Sequence, residues 1–194
     1  MRERALWCPH DHSLTECPLC INHPGSLQPK KTHKEILKGR VKMKKIEITA
    51  YELAQRFVGM TEVAGKVSNP QILAMLQLDL SWPEQDEVAW CSAFVNYIAW
   101  LLRLPRSKSL LARSWLQVGV PIDPVEAEPG FDVVILKRGG ENQPGPDVIN
   151  APGHVGFFAG GDKDIVLILG GNQSDSVNIS RFFVQNILGI RRLF

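Results

Sequence analysis

From residue 46 onward, apolar positions recur in two successive rhythms. Ala50, Leu53, Ala54, Phe57 and Val58 are spaced three and four apart, the signature of one buried face of an α-helix. Thr49 and Glu52 frame its start as a capping box, in which each side chain satisfies a backbone N–H of the first turn. Gly59 offers a left-handed residue to end it. Asn69-Pro70 repeats the start signal, a side-chain cap followed by proline at the first helical position, with Ile72, Leu73, Met75 and Leu76 as the buried face. A third helix is predicted over about 91–103, where Phe94, Val95, Ile98, Leu101 and Leu102 recur at helical spacing in a stretch too apolar for a surface helix. Residues 110–118 read as one more helical stretch. After Pro129-Gly130 the rhythm shortens to Val-, Ile- and Phe-rich runs, which predict strands at 131–136, 154–159, 164–169, 176–180 and 187–193. Gly160-Gly161-Asp162 marks a hairpin between the second and third of these. Helices gathered first and closely spaced strands afterwards predict an α+β fold, an antiparallel sheet with helices on one side.

The first 45 residues follow neither rhythm. Residues 1–24 hold three of the four cysteines and most of the histidines, and residues 25–45 are polar and basic. The chain of 194 residues therefore divides into a small Cys/His-rich segment (1–24), a basic linker (25–45) and one larger domain (46–194). Charge follows the same division: ten Lys/Arg against four Asp/Glu give residues 1–45 a balance of +6, and the remainder carries −4. A basic arm of this kind binds nucleic acid or an anionic surface, or stays solvated as a linker; the linker is the expectation. The longest mostly apolar stretch, 88–102, is 15 residues long and is interrupted by Ser92 and Asn96. That is short of the roughly 18–20 a membrane span needs, so no transmembrane segment is expected. No apolar run follows Met1-Arg2-Glu3-Arg4, so a secretory signal is not expected and the chain is placed initially in the cytoplasm.

Cysteines in such a compartment point away from a disulfide framework. Cys17 and Cys20 have the two-residue separation that lets both sulfurs face one tetrahedral ion. With Cys8 as a third ligand and one of His10, His12 or His23 as the fourth, His23 being the one expected, they predict a structural zinc knot; the alternative is a tail whose thiols do nothing. Cys91 is of another kind. It stands in the first turn of the most apolar helix, where unpaired N–H groups and the helix dipole lower a thiol pKa from about 8.5 and where an oxyanion can be held. The alternative is a small buried hydrophobe. Downstream, His154 opens an apolar strand between Gly153 and Gly156, and antiparallel pairing about the 160–162 turn sets residues near 172 opposite 152–154. Asn172 is thereby the candidate to orient His154. Cys, His and Asn in this order, nucleophile on a helix and base on a strand, form the arrangement of papain-like thiol hydrolases. Trp90 and Gln173 are candidates to face substrate; the alternatives are a core ring and a turn cap.

Residues 46–194 resemble the CHAP and NlpC/P60 group of cell-wall hydrolases, closest to its phage and prophage branch. The matching stretches are Ala89-Trp90-Cys91-Ser92-Ala93-Phe94-Val95-Asn96-Tyr97, Ala112-Arg113-Ser114-Trp115-Leu116, Pro129-Gly130-Phe131-Asp132-Val133-Val134, Gly153-His154-Val155-Gly156-Phe157 and Gly170-Gly171-Asn172-Gln173. Phe131 departs from the usual Gly-Asp after the proline, while Asp132 is kept. The resemblance implies a papain-like α+β fold and a cysteine amidase or endopeptidase of peptidoglycan; a monomer is expected. It makes Cys91 the nucleophile, His154 the base and Asn172 the orienting residue, with no cofactor for catalysis. A phage-type endolysin is the leading role. An interbacterial toxin with the same domain, and a nonenzymatic zinc and basic nucleic-acid-binding module on a degraded hydrolase, are the alternatives.

Overall fold

The structure, a computed structural model, describes residues 47–194 apart from residues 66 and 141. The residues expected to bind zinc, Cys8, Cys17, Cys20 and His23, like the expected basic linker, lie outside the described residues. Among the described residues no helix is long and apolar enough to cross a membrane.

Three helices precede the sheet. In α1 (Ala50–Gln55) the capping box is complete: the Glu52 N–H donates to Thr49 Oγ1 at 3.2 Å, and the Thr49 N–H donates to Glu52 Oε2 at 2.8 Å. The helix stops at Gln55, short of the predicted end, because Phe57 through Gly59 continue as turns, with Gly59 at a φ of 92°. Helix α2 (Pro70–Leu76) begins as its sequence requires, with Asn69 Oδ1 accepting the Gln71 N–H at 2.9 Å. Helix α3 (Cys91–Leu101) is buried along most of its length. The predicted helix at 110–118 is instead a 3-10 segment, Ala112–Gln117. It is tied to α3 by Trp115, whose indole donates to Ser92 Oγ at 2.9 Å.

Six strands follow: β1 (Val120–Ile122), β2 (Asp132–Lys137), β3 (Gly153–Gly161), β4 (Ile165–Gly170), β5 (Asn178–Phe183) and β6 (Ile187–Arg192). Their order in the sheet is β1-β6-β2-β3-β4-β5, and every neighbouring pair is antiparallel. The α+β class read from the sequence is the architecture found. Strand β1 has no counterpart among the predicted strands; it is three residues long and carries Pro121, which lacks the N–H a central strand needs and so suits an edge.

The two faces of the sheet are unequal. Val133, Ile135, Val155, Phe157 and Leu169 join Phe94, Val95, Ile98 and Ala99 of α3 in the main core, with the Phe94 and Phe157 rings edge to face at 6.3 Å. Burying each such aromatic stabilises the fold by about 1.5–3 kcal/mol. Val134, Leu136, Val166, Ile168 and Ile190 form a smaller cluster on the other face. Strand β2 is thus covered on both sides, which is why it reads as a continuous apolar run instead of an alternating one. At its start, buried Asp132 accepts two charge-assisted bonds of 2.7 Å from Arg192, locking β6 to β2.

Candidate active site

Cys91 opens α3, and the residue at the cap position, Trp90, makes no side-chain hydrogen bond to the helix. The backbone N–H groups of Val155, Ser92 and Cys91 face the sulfur, and each favours the thiolate, as does the charge of Arg138. Burial opposes them. Only 2% of Cys91 is exposed, and the cost of desolvating a thiolate outweighs the donors, so the thiol pKa is raised above its ordinary value. This corrects the expectation of a lowered pKa, which counted the helix terminus and not the apolar surroundings.

Cys91 and Val155 of β3 belong to the same main core, and the residue before Val155 is His154. The His154 ring is buried, stacked on Phe182 with centroids 5.4 Å apart. Its Nε2 lies 2.9 Å from Gln173 Oε1. The orientation of that amide is fixed from the other end. Gln173 Nε2 donates to the Ile168 carbonyl at 3.2 Å, the Asn178 carbonyl at 2.6 Å and Asn178 Oδ1 at 3.0 Å. With its NH2 group committed to acceptors, Gln173 offers His154 only an oxygen, so His154 Nε2 carries the proton and Nδ1 is left with a free lone pair. Burial pushes the ring pKa down to about 4, further lowered by Arg138 and partly offset by Gln173, so the imidazole is neutral at pH 7.

The turn that carries Gln173 is unusual. Ser174 and Asp175 have φ values of 50° and 56°, and Gln173 and Ser176 exchange backbone hydrogen bonds of 3.0 and 3.3 Å across them, the form of a two-residue type I′ hairpin loop. Asn172, at a φ of 57°, swings out of the strand direction, and its Nδ2 donates to Glu62 Oε1 at 2.8 Å. The same carboxylate oxygen accepts the Trp90 indole N–H at 2.5 Å. Segment 59–62 is itself bonded to the turn through Gly59 N–H to the Val177 carbonyl, Val177 N–H to the Met60 carbonyl and Glu62 N–H to the Asp175 carbonyl.

The sequence-selected residues are therefore distributed as follows. His154 and Gln173 are in direct contact, Cys91 shares the main core with Val155, the residue after His154, and Asn172 is bonded to Glu62 instead of to His154. Trp90 is fully buried, lying against Gly171 so closely that a Cβ there would collide with its ring; it is a core residue, and the groove-lining reading is corrected. Gln173 is 5% exposed and turned toward His154, away from solvent. Asp86 is buried and accepts the N–H groups of Val63 and Asn69, holding the loop before α2. Two contributors carried no sequence signal that set them apart. Glu62 braces the site from a distant segment. Arg113 is buried and donates to the carbonyls of Pro144, Gly145, Val148 and Pro152, shaping the loop that delivers His154. Its place in the Ala112–Leu116 motif was the only hint.

No family model matches the chain, and no curated protein matches it. Among solved structures, NlpC1 from Trichomonas vaginalis aligns over 79% of this chain at 18% identity, with a TM-score of 0.47. The alignment covers 48% of that chain, so this protein spans about half its length.

Proposed function

We propose that this chain is a cysteine amide hydrolase acting on peptidoglycan, in the manner of a phage-type endolysin. Cys91 is its nucleophile, His154 its general base and Gln173 the residue that orients the base, a role the sequence had suggested for Asn172. One observation carries the reading: the Gln173 amide, fixed at its nitrogen by Ile168 and Asn178, leaves a buried neutral imidazole with Nδ1 as the basic atom. The motifs shared with cell-wall hydrolases around Cys91, His154 and Gly170-Gly171 supply the substrate class.

The pair rests as neutral thiol and neutral imidazole, since burial disfavours both charged forms. On attack, Sγ bonds to the amide carbon while the thiol proton passes to His154 Nδ1, and the oxyanion is held by N–H groups at the start of α3. The imidazolium then gives its proton to the departing nitrogen as the C–N bond breaks, which frees an amine and leaves a thioester. Water, deprotonated by His154, adds to the thioester; its collapse releases a carboxylic acid and restores the thiol. Mass spectrometry of fragments released from purified peptidoglycan tests this. Paired new amino and carboxyl termini at one amide position are the expected result, and cleavage confined to glycosidic bonds would overturn the reading.

A further inference from the structure

A cleft of about 330 Å³ opens beside the base, lined by His154, Gln173, Lys137, Arg138, Arg181 and Phe182 among others. Its charge is one-sided. Three cations border it and no carboxylate does, and among the described residues none of the three is within ion-pair distance of an acid. Arg138 holds the key position. Leu136 pairs across the sheet with His154 and strand β2 ends one residue later at Lys137. Arg138 follows directly and lines the same cleft as His154. It is exposed, so its guanidinium is open to a ligand. Its charge is felt at both reacting groups: it favours the Cys91 thiolate and disfavours the His154 imidazolium. Left alone, it opposes half of the proton transfer that the hydrolase reading requires.

We propose that this cleft is an anion subsite in which Arg138, flanked by Lys137 and Arg181, binds a substrate carboxylate borne by the residue next to the scissile amide. The inference rests on the proposed hydrolase activity and adds to it a substrate class, an acidic peptide. The bound carboxylate both places the amide over Cys91 and neutralises a charge that adds to the larger burial cost of the His154 imidazolium. Arg suits the task because its planar fork takes a carboxylate through two parallel bonds.

The test uses the full chain, Arg138→Gln and two probes: soluble peptide fragments of peptidoglycan, and the same fragments with their carboxylates converted to carboxamides. Wild type should lose about tenfold or more in kcat/KM on amidation, the scale of one charge-assisted recognition. Arg138→Gln should lose a similar factor on the acidic fragments and cleave both sets alike, and Arg138→Lys should recover part of the preference. An undiminished preference in Arg138→Gln, or none in wild type, overturns the subsite while leaving the hydrolase standing. Calorimetric binding of the acidic fragments to Cys91→Ala separates the two failures. If wild type cleaves nothing, binding that disappears in Cys91→Ala/Arg138→Gln sustains the anion subsite without the hydrolase, and an absence of binding overturns both.

Discussion

The two ends of β4 turn the chain by different means. At the end remote from Cys91, Gly160 takes a φ of 122°, and Asp162 Oδ1 accepts the N–H groups of Asp164 and Ile165 at 2.9 and 2.8 Å. Everything this turn needs is within six residues. At the other end Asn172, Ser174 and Asp175 are all left-handed without a glycine among them. Asn and Asp tolerate that region, whereas Ser is less suited to it. The conformation is held by bonds from far along the chain, above all Glu62 on Asn172 and on the Asp175 carbonyl. The locally determined turn only reverses the chain; the turn determined by its surroundings aims Gln173 at His154. Backbone cost is accepted where a side chain must be placed, in keeping with strain gathering at functional sites.

That contrast is sharpest in activity. Gln173→Ala should lower kcat on the order of 100-fold, the lower range of general acid–base contributions, because the imidazole loses the partner that fixes its tautomer. KM should change little. If the variant keeps wild-type kcat and loses only stability, the turn is structural and the contrast fails.

The pH response comes next. The folded pKa of His154, about 4, lies below its ordinary value of 6.5, so the unfolded chain binds more protons between those values. Its contribution to stability is therefore whole above pH 6.5 and is lost as pH falls through about 4, a change of roughly 3 kcal/mol. Urea unfolding of wild type and His154→Gln across this window measures it; parallel stability curves would contradict a buried neutral imidazole. The acid limb of kcat/KM should likewise fall near pH 4, and alkylation of Cys91 by iodoacetamide should be slow at neutral pH and accelerate in alkali.

Smaller effects probe the turns themselves. Ser174→Asn combined with Asp175→Gly installs residues suited to a type I′ loop and should stabilise the protein by about 0.5–1 kcal/mol, read as a raised Tm. A lowered Tm would mean that the two side chains are needed for more than the turn. Asp162→Ala, at the remote hairpin, should reduce Tm slightly and leave kcat unchanged, and a loss of kcat there would erase the distinction between the ends.

How much of this was legible from sequence follows from how far each signal reaches. The capping box at Thr49 and Glu52 and the Asn69-Pro70 start are complete within four residues, and both appear as read. Residues 110–118 have helical spacing but settle into a 3-10 segment, where the buried Arg113 and Trp115 side chains serve loop and α3 contacts. Strand β1 was invisible because Val-Pro-Ile is too short and too exposed to alternate. In the site, Cys91 and His154 stood out by local context. The pairing register, which matches Phe157 with Leu169, does place 172 opposite 154 if the strand is continued, which is why the sequence points to Asn172. The strand ends at Gly170, and the left-handed step at Asn172 hands the position to Gln173. A backbone sign change has no letter in the sequence, and neither does Glu62, 110 positions before its partner.

The nucleophile is tested most directly by digesting purified peptidoglycan with wild type and Cys91→Ala side by side, each checked for an unchanged Tm. Wild type should release fragments and Cys91→Ala none. Fragments released by folded Cys91→Ala at the wild-type rate would contradict the assignment of the thiol as the attacking group.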